Sequence, residues 1–420
     1  MSRNRIRDRV VEIMRAVWAL FLLGCGFQSR TANSPDAGSD ASIPPDGDVV
    51  DLSPICPSIA LGNPQFISSA CATPTSALIQ ITADTSFDTD LGTSDATGMT
   101  CARVHNSGAT AAGSDLCVLA AASIVVHAGV VLSAHGSRPF ALFARSVTIE
   151  GIVDVASHLG GQTGAGSLTS GCFAGKLPTG GGGGRGGDAV DRGGHGGDDG
   201  STAMTGATGG GTFSFTDIGG GGCGGTQGGT GDGGGAASSD GGNASGGPGG
   251  GALWIASLSS DLIIQAGAKI NASGASGLGG KHEGDGGSGG GAGGLILLQA
   301  PNIQLNPGAV IFANGGHGGG GTGTNMGEAG FTSGADGTDP NGPPSGGGGG
   351  TGGLDGSDPL GILGGGDGGP GFPLAGRDGL AGTTDGHGGG GGGGGPGAIR
   401  VVAAANIAGP NVSPAPILLQ

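Results

Sequence analysis

A pattern of three short apolar segments recurs five times, and it constrains the fold more than any other feature of the sequence. The copies begin near residues 117, 140, 252, 295 and 398. In the fourth copy the three segments are Leu295–Leu298, Ile303–Leu305 and, after a turn with Pro and Gly, Val310–Phe312. A unit of this size cannot bury its inward residues alone, so neighbouring copies must stack on one another.

β-Branched residues are enriched in these segments, which favours strands over helices. The pattern therefore predicts an all-β fold, a short right-handed parallel β-solenoid or β-helix. The segment Ala77–Thr82 fits part of an earlier rung. An antiparallel sandwich is the alternative interpretation, because several short strands separated by turns give a similar pattern.

Glycine accounts for 108 of the 420 residues and is concentrated in long insertions between the copies, at residues 160–250, 277–293 and 316–396. Insertion at a corner of a stack leaves the inward and outward alternation of the strands intact. In isolation these excursions should be disordered, because glycine loses the most backbone entropy on folding and buries no side chain. The alternative is that extended glycine segments pack backbone against backbone, which requires residues without a Cβ. The strict period of collagen is absent.

The first 24 residues are organised like a secretory signal peptide. Met14-Arg15 precede an apolar segment that ends before Gly24-Cys25 and is shorter than the roughly 20 residues that span a bilayer. Residues 1–13 also contain acidic side chains, so translation from either Met1 or Met14 fits the pattern. Residues 25–55 lack apolar periodicity and predict a disordered tether.

The sequence Leu22-Leu23-Gly24-Cys25 resembles the lipobox of bacterial lipoproteins. This resemblance implies cleavage before Cys25 and attachment of lipid to Cys25. Gly26 follows, and the resemblance then implies the outer membrane, because an aspartate at that position is typical of retention at the inner membrane. An ordinary signal peptide with a chance cysteine is the alternative.

Six of the seven cysteines remain after Cys25, and an even number in an exported chain predicts disulfides. Six cysteines allow 15 pairings. They fall into three local couples, which we expect to be the bonded pairs: Cys56 with Cys71, Cys101 with Cys117, and Cys172 with Cys223. None has the CxxC spacing of a redox or zinc motif.

The formal net charge is -16, and the segment up to Cys25 holds five basic and two acidic residues, so removing it gives -19. Such a chain repels nucleic acid and anionic membrane surfaces, which argues against nucleic acid as a partner. Tyrosine is absent and tryptophan occurs only at positions 18 and 254. With so few large apolar side chains, one compact core for the whole chain is not expected.

The segment Gly183–Asp191 matches the calcium-binding nonapeptide GGxGxDxUx. Carboxylate and carbonyl oxygens are ligands for this hard cation, so Asp188 and Asp198 are the candidate metal ligands and Ca²⁺ is the candidate cofactor. Five histidines flanked mostly by glycine are interpreted as solvated loop residues rather than metal ligands: His158, His195, His282, His317 and His387.

Enzymatic activity is not expected. Polysaccharide-processing β-helix enzymes need carboxylates or basic residues clustered on one face, usually with aromatic side chains against the sugars. The charged residues of the repeats are sparse, and no Ser-His-Asp constellation or nucleophile elbow is recognisable. The Gly-rich tracts neither open a helix after a strand nor lead to Gly-Lys-Ser/Thr, which excludes a phosphate-binding loop.

The lipobox, acidic tether, local cysteine pairs and Gly-rich inserts together resemble glycine-rich predicted surface lipoproteins of myxobacteria-type Gram-negative bacteria. The inserts alone are similar to mycobacterial PGRS regions. The resemblance implies a lipid-anchored outer-membrane protein, displayed at the cell surface, that presents acidic glycine-rich loops in adhesion or envelope organisation. Its partners would be the membrane, through the anchor, and surface or matrix molecules. A calcium-dependent binding module and a polysaccharide-processing enzyme are the alternatives.

The expected domain organisation has four parts. They are a signal peptide at 1–24, the lipidated cysteine and linker at 25–55, a disulfide-containing cap at 56–116, and rungs interrupted by glycine-rich excursions at 117–420.

Overall fold

The computed structural model describes about two thirds of the chain. The described residues are 53–60, 67–95, 98–105, 115–168, 172, 176–199, 205–208, 220–230, 245–282, 284–323, 333–342, 376–382, 387–403, 407 and 411–419. The predicted signal peptide, Cys25 and nearly all of the predicted tether lie outside these residues. The described residues all belong to one unit, which spans residues 50–420.

The described part is all-β. Its nineteen strands are β1 (Ser58–Ala60), β2 (Ile67–Ser69), β3 (Ser76–Ile81), β4 (Thr85–Asp88), β5 (Thr93–Ser94), β6 (Ala102–His105), β7 (Asp115–Val126), β8 (Val131–His135), β9 (Phe140–Ile149), β10 (Ile152–Asp154), β11 (Ala252–Ser257), β12 (Leu262–Ile264), β13 (Lys269–Asn271), β14 (Leu295–Gln299), β15 (Ile303–Leu305), β16 (Val310–Phe312), β17 (Ala398–Val402), β18 (Val412–Ser413) and β19 (Ile417–Leu418). No helix long and apolar enough to cross a membrane occurs in the described ranges.

Corresponding segments of successive copies pair side by side in parallel. The first segments form the series β7, β9, β11, β14 and β17 within a ten-stranded sheet, with β12 and β15 extending β9. The third segments form β8, β10, β13, β16 and β18 within a seven-stranded sheet. This parallel register excludes the antiparallel alternative for the copies, and antiparallel pairing is confined to β1–β2, β4–β5 and β6–β7 among the described strands.

The first two segments are continuous in the early copies, whereas the sequence pattern predicts a break. β7 and β9 are single strands of 12 and 10 residues that contain both segments. The break appears later, where Leu258–Asp261 and Ala300–Asn302 separate the segments. The first interruption has more residues than the corresponding part of β9. The second has no extra residue but contains Pro301, which cannot donate an N–H to the ladder.

Residues 76–81 form β3, which pairs with β7 in parallel, as expected for an earlier rung. The main core lies on the inward side of both sheets and includes Phe87, Leu132, Ile149, Ile270 and Ile311, all buried. Trp254 and Phe143 pack edge to face on the opposite side of the ten-stranded sheet, with ring centroids 5.0 Å apart.

Three disulfides join Cys56 to Cys71, Cys101 to Cys117, and Cys172 to Cys223. Their Cα–Cα distances are 4.1, 5.3 and 5.7 Å. These are the three local couples expected from the sequence. The third closes a loop within the first glycine-rich excursion.

Candidate functional site

The glycine-rich segments bond laterally to one another through their backbones. Along residues 286–294, consecutive N–H groups donate in turn to three different neighbouring segments, and the order repeats every three residues. The first six acceptors are the carbonyl oxygens of Gly229, Gly389, Leu278, Thr226, Gly392 and Ala275. A repeat of three residues per turn is that of an extended polyproline II helix, which has no internal hydrogen bonds and so leaves every N–H free for a neighbour.

Residues 388–395 show the same repeat. Their N–H groups donate in turn to residues 316–322, 181–187 and 377–380. Pro396 has no N–H to donate, and Gly397 resumes the order by donating to the Ala313 carbonyl oxygen at 2.8 Å. Three of the segments also bond to each other in a ring: Gly184 N–H donates to Gly287 O at 2.8 Å, Gly287 N–H to Gly389 O at 2.9 Å, and Gly389 N–H to Gly181 O at 2.9 Å. We call the hydrogen-bonded segments 180–188, 193–198, 220–229, 246–250, 272–280, 284–294, 313–322 and 387–397 the glycine bundle.

Absence of a side chain is a steric requirement of the bundle. A Cβ on Gly287 would lie 2.0 Å from the carbonyl oxygen of Gly319, and one on Gly394 would lie 2.0 Å from that of Gly291. Of the two states that the sequence allows for the excursions, the described residues therefore adopt backbone packing.

Aspartate carboxylates complete the bundle where a backbone acceptor is lacking. Asp336 Oδ1 accepts the Gly279 N–H at 2.8 Å, Asp339 Oδ1 accepts the Ser276 N–H at 2.7 Å, and Asp378 Oδ1 accepts the His195 N–H at 2.8 Å. The acidic residues of the inserts are therefore partly structural.

The two candidate calcium ligands, Asp188 and Asp198, also accept backbone N–H groups. Asp188 is fully buried, its Oδ2 lies 2.7 Å from Arg185 Nη1, and its Oδ1 accepts the Gly193 N–H at 2.9 Å. Asp198 is exposed and accepts the Gly206 N–H at 2.8 Å. Among the described residues, no group of three or more His, Cys, Asp or Glu side chains is arranged to hold a metal ion.

Two of the five insert histidines are not solvated, contrary to the sequence interpretation. His317 is 1% exposed and His387 is 2% exposed. Burial lowers the pKa of His317, although a hydrogen bond from its Nδ1 to the Thr338 carbonyl and the nearby Asp339 carboxylate act in the opposite direction.

A cleft opens on the outward face of the seven-stranded sheet, and its volume is about 170 Å³. Ser86, Ser133 and Asp154 lie at the same level on the neighbouring strands β4, β8 and β10. His135 projects from the same face of β8, two residues after Ser133, and its Nδ1 lies 3.3 Å from Ser86 Oγ. The strands' alternation of buried and half-buried residues produces this polar row.

His158 borders the cleft between two carboxylates. Its Nε2 lies 3.2 Å from Asp154 Oδ2, and its Nδ1 lies 3.7 Å from Asp339 Oδ2. The hydrogen bond to Asp154, followed by the ionic interaction with Asp339, raises the pKa of His158 to about 10 despite partial burial. Burial alone would raise the pKa of Asp339, but the interaction with His158 and hydrogen bonds from the N–H groups of Leu159 and Ser276 hold it below its ordinary value. His158 is therefore an imidazolium at neutral pH.

Sequence analysis did not find this site. Ser86, His135 and Asp339 come from an early strand, the next repeat and a distant insert, and no local motif connects them. Asp339 accepts the Leu159 N–H at 2.7 Å across a separation of 180 residues. Only the alternation within β4, β8 and β10 indicates that Ser86, Ser133 and Asp154 face outward.

The arrangement defines an all-β protein with parallel sheets, a backbone-bonded glycine bundle and a small cleft bordered by several polar side chains. Comparison with protein-family models, with curated proteins and with solved structures finds no match to this chain.

Proposed function

We propose that this protein is a lipid-anchored structural or interaction protein of the outer membrane, displayed at the surface of a Gram-negative cell, and that it is not an enzyme. The observation that supports this most is the glycine bundle, in which consecutive N–H groups of residues 286–294 all have backbone partners. The described segments of the inserts would therefore act as a stiff spacer. A stiff body on a tether holds a binding surface away from the membrane, in adhesion or envelope organisation.

The architecture belongs to the same proposal. The parallel register of successive copies, each contributing to both sheets, supports a short right-handed β-solenoid. Each excursion leaves after a strand of the seven-stranded sheet and returns before a strand of the ten-stranded sheet, so the bundle continues the stack on one side.

The anchor and the address rest on the lipobox resemblance around Cys25. Mass spectrometry of the native, unreduced protein should find an acylated Cys25 as the first residue. Cys25→Ser should release the protein from the membrane fraction. The control is Cys172→Ser/Cys223→Ser, which retains Cys25 and should stay in the membrane fraction. Recovery of Cys25→Ser in the membrane fraction would contradict lipid anchoring. Protease treatment of intact cells then tests whether the protein faces outward.

Hydrogen exchange tests the scaffold directly. The amides of residues 286–294 and 388–395 should exchange orders of magnitude more slowly than those of the open turns at Gly267 and Gly308, because only the former lie in the bonded bundle. Rapid exchange throughout 286–294 would overturn the scaffold.

Both alternatives find less support. A calcium-dependent module would require Asp188 to give up Arg185 and Gly193. A polysaccharide-processing enzyme would need a base oriented for proton transfer, and among the described residues no carboxylate is hydrogen-bonded to His135.

A further inference from the structure

We infer that the cleft between β4, β8 and β10 binds a small uncharged polyol of the size of one sugar ring. This goes beyond the proposed role in display, on which it depends, by assigning a ligand class to a particular site. The size, the charge and the lining side chains of the cleft support this inference.

Size limits the ligand first. Pockets for drug-sized molecules and nucleotides commonly have volumes of about 300 to 1,000 Å³. The cleft has about 170 Å³, which suits a single six-membered ring with its hydroxyl groups. A longer glycan would place only one residue in the cleft.

Charge excludes anions. The His158 imidazolium lies between the Asp154 and Asp339 carboxylates, so the three groups together carry one negative charge. Both ring nitrogens of His158 face these carboxylates, and the ring therefore offers no N–H to a phosphate or sulfate. The phosphate of a phosphorylated sugar would face this net negative charge and would receive no hydrogen bond from the His158 imidazolium.

The remaining groups are donors and acceptors suited to hydroxyls. Ser86, Ser133 and Asp154 form a row across three strands that are roughly 4.8 Å apart, and His135 stands beside this row. Gln162 adds an amide at the rim, and Ala156 adds apolar surface against which ring C–H groups can pack. Asp154 Oδ1 already accepts the Ala156 N–H at 2.9 Å and Oδ2 faces His158, so ligand hydroxyls would use the remaining lone pairs of this carboxylate, while Ser133, His135 and Gln162 donate or accept.

Asp339 is a positioning residue for this cleft. It accepts N–H groups from Leu159 and Ser276 and faces His158, so the insert that contains it fixes the histidine at the cleft wall. Without Asp339, His158 would interact with Asp154 alone. Asp154 would then be held less firmly in position for a ligand.

Saturation-transfer NMR on the full chain tests the inference with glucose, galactose, mannose and N-acetylglucosamine, and with glucose 6-phosphate as the charged comparator. At least one neutral sugar should give a saturable signal. His135→Ala should weaken its binding by about tenfold or more. His127→Ala should leave it unchanged, because that half-exposed histidine lies outside the cleft and pairs with Glu150 at 3.6 Å.

Asp339→Asn should weaken binding and, in the same samples, lower the pKa of His158 in an NMR titration, a change that a general loss of stability would not produce. The inference is overturned if no neutral sugar binds, if His135→Ala and His127→Ala behave alike, or if the charged comparator binds more tightly than every neutral sugar. Slow amide exchange in the glycine bundle and surface exposure on cells would survive that failure, so the proposed function is tested separately.

Discussion

Aspartate acts in this chain as a substitute for a backbone carbonyl. The sequence contains 28 aspartates and 4 glutamates. Four insert aspartates accept N–H groups from other segments: Asp198, Asp336, Asp339 and Asp378. The single methylene of aspartate places its carboxylate within reach of a neighbouring backbone. The second methylene of glutamate would carry the carboxylate beyond that backbone and would cost more side-chain entropy. The acidic character therefore has a structural cause besides solubility.

We expect that Gly287 tolerates no side chain. Gly287→Ala would place a Cβ 2.0 Å from the Gly319 carbonyl oxygen, and relieving that overlap should lower the free energy of unfolding by about 1 to 3 kcal/mol or more. Gly224→Ala is the matched control, because its Cβ would meet nothing closer than 3.5 Å and should change stability by no more than about 0.5 kcal/mol. Equal urea midpoints for the two variants would contradict backbone packing at Gly287.

The Arg185–Asp188 pair is expected to be a stability determinant. Asp188→Asn keeps an acceptor for the Gly193 N–H but removes the charge opposite Arg185, and breaking a buried pair costs about 3 to 5 kcal/mol. Asp198→Asn, at an exposed aspartate that also accepts a glycine N–H, should cost far less. Urea unfolding of both variants measures the difference, and a small effect at Asp188 would show that the pair is dispensable.

Among the elements, the disulfides should differ in their contribution to stability. Cys172–Cys223 closes a loop of 51 residues and Cys56–Cys71 one of 15. Chain entropy alone predicts losses of about 4 and about 3 kcal/mol when each pair is replaced by alanine. Unfolding of the two double variants, each with the other disulfides intact, measures this order. The reverse order would mean that the first excursion remains constrained in the unfolded state.

The histidine between β10 and the insert 333–342 predicts a pH dependence. The folded pKa of His158 is about 10 and its ordinary value is 6.5, so its contribution to stability is complete below about pH 6.5 and is lost as pH rises through 10. Because Asp339 has a lowered pKa, its contribution is present above its ordinary value of 3.8 and is lost as pH falls below it.

The check is an NMR titration of the His158 ring proton in the wild type and in Asp154→Asn/Asp339→Asn. The midpoint should move from near 10 toward 6.5 in the variant. A wild-type midpoint near 6.5 would show that His158 does not lie between Asp154 and Asp339 in solution.

For the whole molecule, calcium should leave thermal unfolding unchanged. Asp188 already has a cationic partner, and the described residues contain no cluster that could hold a metal ion. Calorimetric or circular dichroism melts in calcium and in chelator should agree within about 1 °C, since a ligand stabilises only if it binds the folded state preferentially. A rise that saturates with calcium would favour the calcium-dependent alternative.

The periodic features were predictable from the sequence because their causes are local. Alternating β-branched segments such as Ile303–Leu305 predict strands, and an even number of nearby cysteines after Cys25 predicts three local disulfides. The sequence also predicts a lipoprotein signal around Cys25, and that localisation stays a prediction. It left open whether glycine segments pack or stay disordered, since the free energy of either state depends on partners elsewhere in the chain.

Only the tertiary structure decided which backbones meet and which side chains share a site. Gly287 bonds to Gly389 and Asp339 reaches Leu159 because the stack of parallel strands brings distant inserts into register. The nonapeptide match around Asp188 predicts a ligand, yet the folded chain pairs that carboxylate with Arg185 three residues away. Strand alternation is a property of neighbouring residues, whereas lateral hydrogen bonds and the cleft join residues far apart in the chain, such as Gly181 and Gly389, which no local pattern encodes.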